Sequence, residues 1–148
     1  MERVRGFEVV TGFESKATIP TRGSANSAGY DFYAIGEITI QPLQNTKTIA
    51  TGIKCYMPED EYLQVQVRSK FAKLELVMVN APGIIDADYY GNSDNEGHIH
   101  GMFINTSDKP IKIKKGERFM QGIFQKYFLA DGDSVTTKRK GGFGSTGK

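Results

Sequence analysis

Apolar and polar residues alternate with a period of two in short runs along the chain, and no 3.6-residue apolar stripe persists over three helical turns. The clearest run is Tyr62-Leu63-Gln64-Val65-Gln66-Val67, with shorter ones at Glu37-Ile38-Thr39-Ile40 and Ile111-Lys112-Ile113. Turn signals separate them at Gln41-Pro42, Met57-Pro58-Glu59-Asp60, Asp108-Lys109-Pro110 and Lys115-Gly116. A chain patterned in this way folds into half-buried strands, and their regular spacing predicts an all-β sandwich or jelly-roll barrel. Residues 69–79 open with the makings of a helical turn, whereas residues 74–79 read as a buried strand.

Composition narrows the class further. At 148 residues the chain is sized for one barrel, and 17 glycines, about 11% against a usual 7%, serve turns, a wrapped ligand, or both. Nineteen Lys and Arg against 17 Asp and Glu leave +2, too balanced for non-specific nucleic-acid binding, so no nucleic-acid partner is expected. No apolar run approaches a membrane span, and the start, Met1-Glu2-Arg3-Val4-Arg5, leads into no signal-peptide core. Together with a single cysteine, Cys55, these features predict a cytoplasmic protein with no membrane partner.

Several motifs mislead. Gly142-Phe143-Gly144-Ser145-Thr146-Gly147-Lys148 fits both G-x-G-x-x-G and G-x-x-x-x-G-K. Both motifs need a following helix, which leaves no room for a P-loop or a Rossmann turn. Successive glycine amides with two hydroxyls can still wrap a polyphosphate. Asp86-Ala87-Asp88-Tyr89-Tyr90 fails as a calcium loop, because Tyr90 takes the third ligand position and Gly97 the place of the bidentate glutamate. Two carboxylates beside two tyrosines instead suit a general base near a nucleoside. His98 and His100 fall on one strand face without a third ligand at metal spacing, so packing explains them better than zinc.

Five segments taken in order resemble the signature motifs of the homotrimeric dUTP diphosphatases. They are Ala28-Gly29-Tyr30-Asp31-Phe32-Tyr33-Ala34, Arg68-Ser69-Lys70, the stretch of residues 80–91 built on Asn80, Gly83, Ile85, Asp86, Asp88, Tyr89 and Gly91, Gly116-Glu117-Arg118-Phe119-Met120-Gln121, and the glycine-rich tail. Any one is weak, but five in order with near-family spacing are specific. The resemblance implies a distorted jelly-roll domain over residues 1–128 and a C-terminal arm over residues 129–148 that carries a substrate lid. It also implies a homotrimer with shared active sites, hydrolysing dUTP to dUMP and pyrophosphate with Mg²⁺.

Roles follow residue by residue from the same resemblance. Asp86 is similar to the carboxylate that activates the water attacking the α-phosphate. Asn80, with the backbone of Gly83 and Ile85, resembles the uracil reader, and Tyr89 the aromatic floor under deoxyribose. Arg68, Ser69, Lys70 and Gln121 resemble phosphate contacts, and Asp31 the acid that reaches the metal through water. Phe143 resembles the lid aromatic, with Gly144, Ser145 and Thr146 wrapping the γ-phosphate.

Three departures accompany the match. Lys70 replaces a small residue, and its side chain either adds or blocks a phosphate contact. Lys138 occupies the register of the arm's usual arginine, with Arg139 one place along, and either could meet the γ-phosphate. The polar loop at residues 92–97 is longer than usual, and Asn95-Glu96-Gly97-His98 is similar to stretches in dUTP diphosphatases of Gram-positive bacteria and their phages. Of the alternatives, dCTP deaminase shares the fold and the Arg-Ser motif, but Met102 stands where its general-base glutamate belongs. The other is a family member acting as a protein-binding regulator, against which Asp86, Tyr89 and the Phe143 tail argue.

Overall fold

The computed structural model describes residues 2–43 and 46–141 of the chain. Among the described residues twelve strands follow one another: β1 (Gly6–Val9), β2 (Thr21–Arg22), β3 (Tyr30–Tyr33), β4 (Ile38–Ile40), β5 (Lys47–Ala50), β6 (Ile53–Tyr56), β7 (Glu61–Val67), β8 (Leu76–Met78), β9 (Gly83–Asp86), β10 (His100–Asn105), β11 (Ile111–Ile113) and β12 (Arg118–Lys126). One helical turn, α1 (Ser69–Ala72), and a 3₁₀ turn at Ala87–Tyr89 interrupt them. The alternating runs become β4, β7 and β11, as their period requires. In β7 the odd positions Glu61, Leu63 and Val65 are buried, while Tyr62, Gln64 and Gln66 face outward.

Every strand pair is antiparallel, and the pairing is nested: β3 with β12, β4 with β11, and β5 with β10. Nested partners far apart in sequence are what a long hairpin produces when it is rolled over a core, which is the jelly-roll plan. A five-stranded sheet in the order β2-β3-β12-β7-β9 faces a three-stranded sheet in the order β5-β10-β8. Phe32, Leu63, Val65, Phe119 and Met120 from the first pack with Ile49, Leu76, Met78 and Phe103 from the second in one buried cluster. The rings of Phe103 and Phe119 meet across it at 5.9 Å between centroids. Cys55 lies in the same core, and burial pushes its thiol up to about 12.

The reading of residues 74–79 as a fully buried strand needs correction. Glu75 takes a left-handed backbone (φ 68°), so pairing begins only at Leu76. Within β8, Leu76 and Met78 are buried while Val77 is exposed, as is Val79 just beyond it, so the segment is two-faced. The turn that follows carries the chain from the three-stranded sheet into the five-stranded one, which leaves a gap between the sheet ends at Asn80. After β12 the described arm, to Gly141, contains no helix or strand.

Candidate active site

The gap beside Asn80 is a cavity of about 350 Å³. Val65 from β7, Met78 and Asn80 from the corner, Gly83, Ile85 and Asp86 from β9, and Tyr89 line it on one side. His100, Gly101 and Met102 from β10 close the other side, and Arg139 of the arm stands at it too. Asn80, Gly83 and Ile85 of the third motif therefore converge with its acid and its tyrosine on one pocket. Asp86, at the end of β9, keeps an exposed carboxylate, and Tyr89 is 7% exposed. A planar ring entering such a slot would meet backbone amides and carbonyls at its edges and an aromatic wall.

Arg139 of the arm reaches the two carboxylates of the third motif. Its Nη2 donates to Asp86 Oδ2 at 2.6 Å, its Nε to Asp88 Oδ1 at 2.7 Å, and its Nη1 to the Gly141 carbonyl at 3.1 Å. The guanidinium carbon lies 6.0 Å from the centre of the Tyr89 ring. Asp88, the second carboxylate of the third motif, shares the same arginine.

The other candidate residues form a second cluster on the same sheet. Asp31, 5% exposed, receives Arg68 Nε at 3.1 Å and Arg118 Nη1 at 3.4 Å, so two arginines compensate one buried carboxylate. Gln121 pairs with Asp31 across β12 and β3, and its side-chain amide lies so close to Gly29 that a Cβ there would collide with it. A side chain at that position would have to push the Gln121 amide aside. Ser69 opens α1 directly after Arg68, whose amide donates to the Phe119 carbonyl at 3.1 Å. Lys70 is ion-paired through Nζ to Glu117 of the fourth motif. Its side chain is thereby held beside the turn before β12 while remaining largely exposed.

The two clusters do not meet within one chain. From Asp31 the register runs through Gln121 to Gln66, and Asp86 lies opposite Tyr62, four residues along β7. Three strand spacings across and four residues along put roughly 20 Å between the two acids. Phe143, Gly144, Ser145 and Thr146 lie outside the described residues.

The family model for dUTPase matches residues 15–147. The chain belongs to the dUTPase family. The deoxyuridine 5′-triphosphate nucleotidohydrolase of Lactococcus lactis is 44% identical over 149 residues, covering 98% of this chain and 99% of that protein. The crystal structure of the dUTPase from Streptococcus mutans superposes with a TM-score of 0.79 at 37% identity, over 86% of this chain and 99% of that one. A dUTPase from phage phi11 of S. aureus, which coordinates a structural Mg(II) ion, shares the fold at a TM-score of 0.70 and 18% identity, over 91% and 98% of the two chains. The all-β architecture is therefore that of dUTPases, and the Lactococcus and Streptococcus relatives are consistent with a bacterial-type member.

Sequence reasoning missed part of this dUTPase's cavity wall. His100 lines the pocket, and His98 packs beside it with 4.2 Å between ring centres. His98 Nε2 accepts the Gly52 amide at 2.8 Å, which requires a neutral ring. Burial, then the neighbouring His100, lowers its pKa to about 4. The unfolded chain takes up this proton near pH 6.5. His98 therefore contributes stability that is fully present above about pH 6.5 and is lost as pH falls through about 4. Melting temperature should drop across that window. His98→Gln, which keeps an acceptor for Gly52, should flatten the drop, and an unchanged slope would remove His98 as its source.

Proposed function

We propose that this dUTPase hydrolyses dUTP to dUMP and pyrophosphate, with Asp86 as the base that takes a proton from the attacking water. The observation that carries this reading is the exposed Asp86 carboxylate at a slot walled by Asn80, the Gly83–Asp86 strand and Tyr89. Uracil would be read by Asn80 with the backbone of Gly83 and Ile85. Tyr89 would lie under the deoxyribose, and Asp86 would face the α-phosphate. A carboxylate needs only to orient one water and accept its proton for in-line attack. Arg139 now neutralises Asp86 and Asp88; a triphosphate, with more charge, would draw the guanidinium to itself and free the Asp86 oxygen. Arg68, Ser69, Lys70 through its amide, and Gln121 would bind phosphate oxygens. Phe143, Gly144, Ser145 and Thr146 would close over the substrate as the lid of an arm spanning residues 129–148, beyond a barrel of residues 1–128.

The donor set fits Mg²⁺ in one form. Among the described residues no three His, Cys, Asp or Glu side chains gather into a metal cage, and both Asp31 oxygens are taken by arginines. A hard cation held by substrate oxygens and waters, with Asp31 reaching it through water, suits such a set. Bound there, the ion would offset phosphate charge as it develops.

Asp31 and Asp86, roughly 20 Å apart on one sheet, are beyond the reach of one triphosphate with one bridging water. A homotrimer in which one subunit's Asp86 pocket faces another's Asp31 cluster supplies both. We assign the protein to the cytoplasm; no helix among the described residues is long and apolar enough to cross a membrane. Incubation with each dNTP and with UTP, with and without Mg²⁺, followed by pyrophosphate measurement, tests the reading. Release from dUTP alone, dependent on Mg²⁺, is the expected result, and release from dCTP or UTP at comparable rates would overturn it.

A further inference from the structure

The polar loop at residues 92–97 has no part in the chemistry described so far, yet it is tied to Tyr89 at both its backbone and its hydroxyl. Asn92 N donates to the Tyr89 carbonyl at 3.1 Å, Glu96 N to the Asn92 carbonyl at 2.8 Å, and Gly91 N to the Glu96 carbonyl at 2.9 Å. Gly97 has φ +90°, and a Cβ there would stand 2.6 Å from the Tyr89 carbonyl oxygen, so the loop closes against the Tyr89 backbone only with glycine. Glu96 Oε2 fixes the loop to the body through Lys54 Nζ at 2.8 Å.

Side-chain hydrogen bonds continue this hold into the cavity, and their directions are determined. Gly97 N donates to Asn95 Oδ1 at 3.0 Å, which leaves Nδ2 to donate to Tyr89 Oη at 2.8 Å. The phenol then donates its own proton to the His98 carbonyl at 2.9 Å. His100 Nδ1 reaches the same carbonyl at 3.1 Å. One carbonyl thus anchors two cavity residues, Tyr89 and His100, and Asn95 holds the phenol from its other side.

We propose that Asn95 is a positioning residue that locks the Tyr89 ring, and that the 92–97 loop thereby sets discrimination between deoxyribose and ribose. The inference rests on the proposed hydrolysis of dUTP with Tyr89 under the sugar. A 2′-hydroxyl is excluded only if the ring cannot yield, and a ring held at both its backbone and its hydroxyl has little freedom to do so.

The test compares wild type, Asn95→Ala, Asn95→Asp, Tyr89→Phe and the Tyr89→Phe/Asn95→Ala double variant, with kcat and KM measured separately for dUTP and UTP. Asn95→Asp keeps the acceptor for Gly97 and leaves the Tyr89 phenol one proton for two acceptors, the new carboxylate and the His98 carbonyl, so one of its two anchors is lost even where Asn95→Ala fails to fold. The preference for dUTP over UTP in kcat/KM should fall about tenfold in each single variant, with kcat for dUTP changed less than about twofold in the two Asn95 variants. The double variant should lose no more than Tyr89→Phe alone, because the phenol is the group through which Asn95 acts. A loop needed only for stability would lower the melting temperature and leave the preference intact. Wild type that cleaves dUTP, combined with an Asn95→Asp variant as selective as wild type or a double variant showing additive losses, overturns the positioning role alone. Wild type that releases no pyrophosphate from dUTP overturns the proposed function, and the sugar-selecting role with it.

Discussion

Asp86→Asn should leave dUTP bound and lower kcat by about 10²–10⁴-fold, the share that a positioned proton acceptor contributes to such a reaction. The amide matches the carboxylate in size and still offers one oxygen to a water, but it cannot take the proton. Folding should be nearly unaffected, because the side chain is half exposed and Arg139 keeps its second partner, Asp88. Asn80, Gly83 and Ile85 are untouched, so KM should stay within a few-fold of wild type. Asp88→Asn is the control: it loosens Arg139 in the same way but leaves the base in place, and its kcat should change far less. Steady-state kinetics with calorimetric titration of dUTP checks both, and a near-normal kcat for Asp86→Asn would remove it from the base's role.

The contrast between these two acids shows how far the sequence could be read. Asp86 was marked out by its place between an apolar strand and two tyrosines, and the fold puts it at a cavity mouth. That Arg139 would join Asp86 and Asp88 was not legible, because Arg139 and Asp88 lie 51 residues apart in the chain and no period links them. Alternation told which face of β7 is buried, since adjacent side chains must point opposite ways. It said nothing of β7's partners, β12 and β9, so the separation of Asp31 from Asp86 appeared only with the register. Residues 74–79 misled for a similar reason: an apolar run shows hydrophobicity, whereas the left-handed turn at Glu75 and the exposed Val77 depend on how the corner is built. His98 looked like an ordinary packing histidine, and its hydrogen bond to Gly52 involves two residues 46 positions apart.

Mixing two inactive variants should restore activity if each site draws its acid and its phosphate contacts from different subunits. Arg68→Ala removes a proposed phosphate contact but leaves Asp31 its second arginine, Arg118, so the barrel should persist. Trimers of Asp86→Asn alone and of Arg68→Ala alone should each be at least about 10²-fold slower than wild type. In trimers assembled at random from equal amounts, a given site takes an intact Asp86 with probability one half and an intact Arg68 from another subunit with probability one half. About a quarter of the sites are then complete, and activity should return to about a quarter of the wild-type value, a gain of well over tenfold. Sites contained within single chains would give no gain, since every chain carries one lesion. Co-refolding the two variants, sizing by light scattering and assaying pyrophosphate release separates these outcomes. A trimer that stays inactive would overturn the shared site while leaving the trimer itself standing. A stable, active wild-type monomer would overturn both, because the roughly 20 Å between Asp31 and Asp86 on one sheet would then have to be spanned inside a single chain.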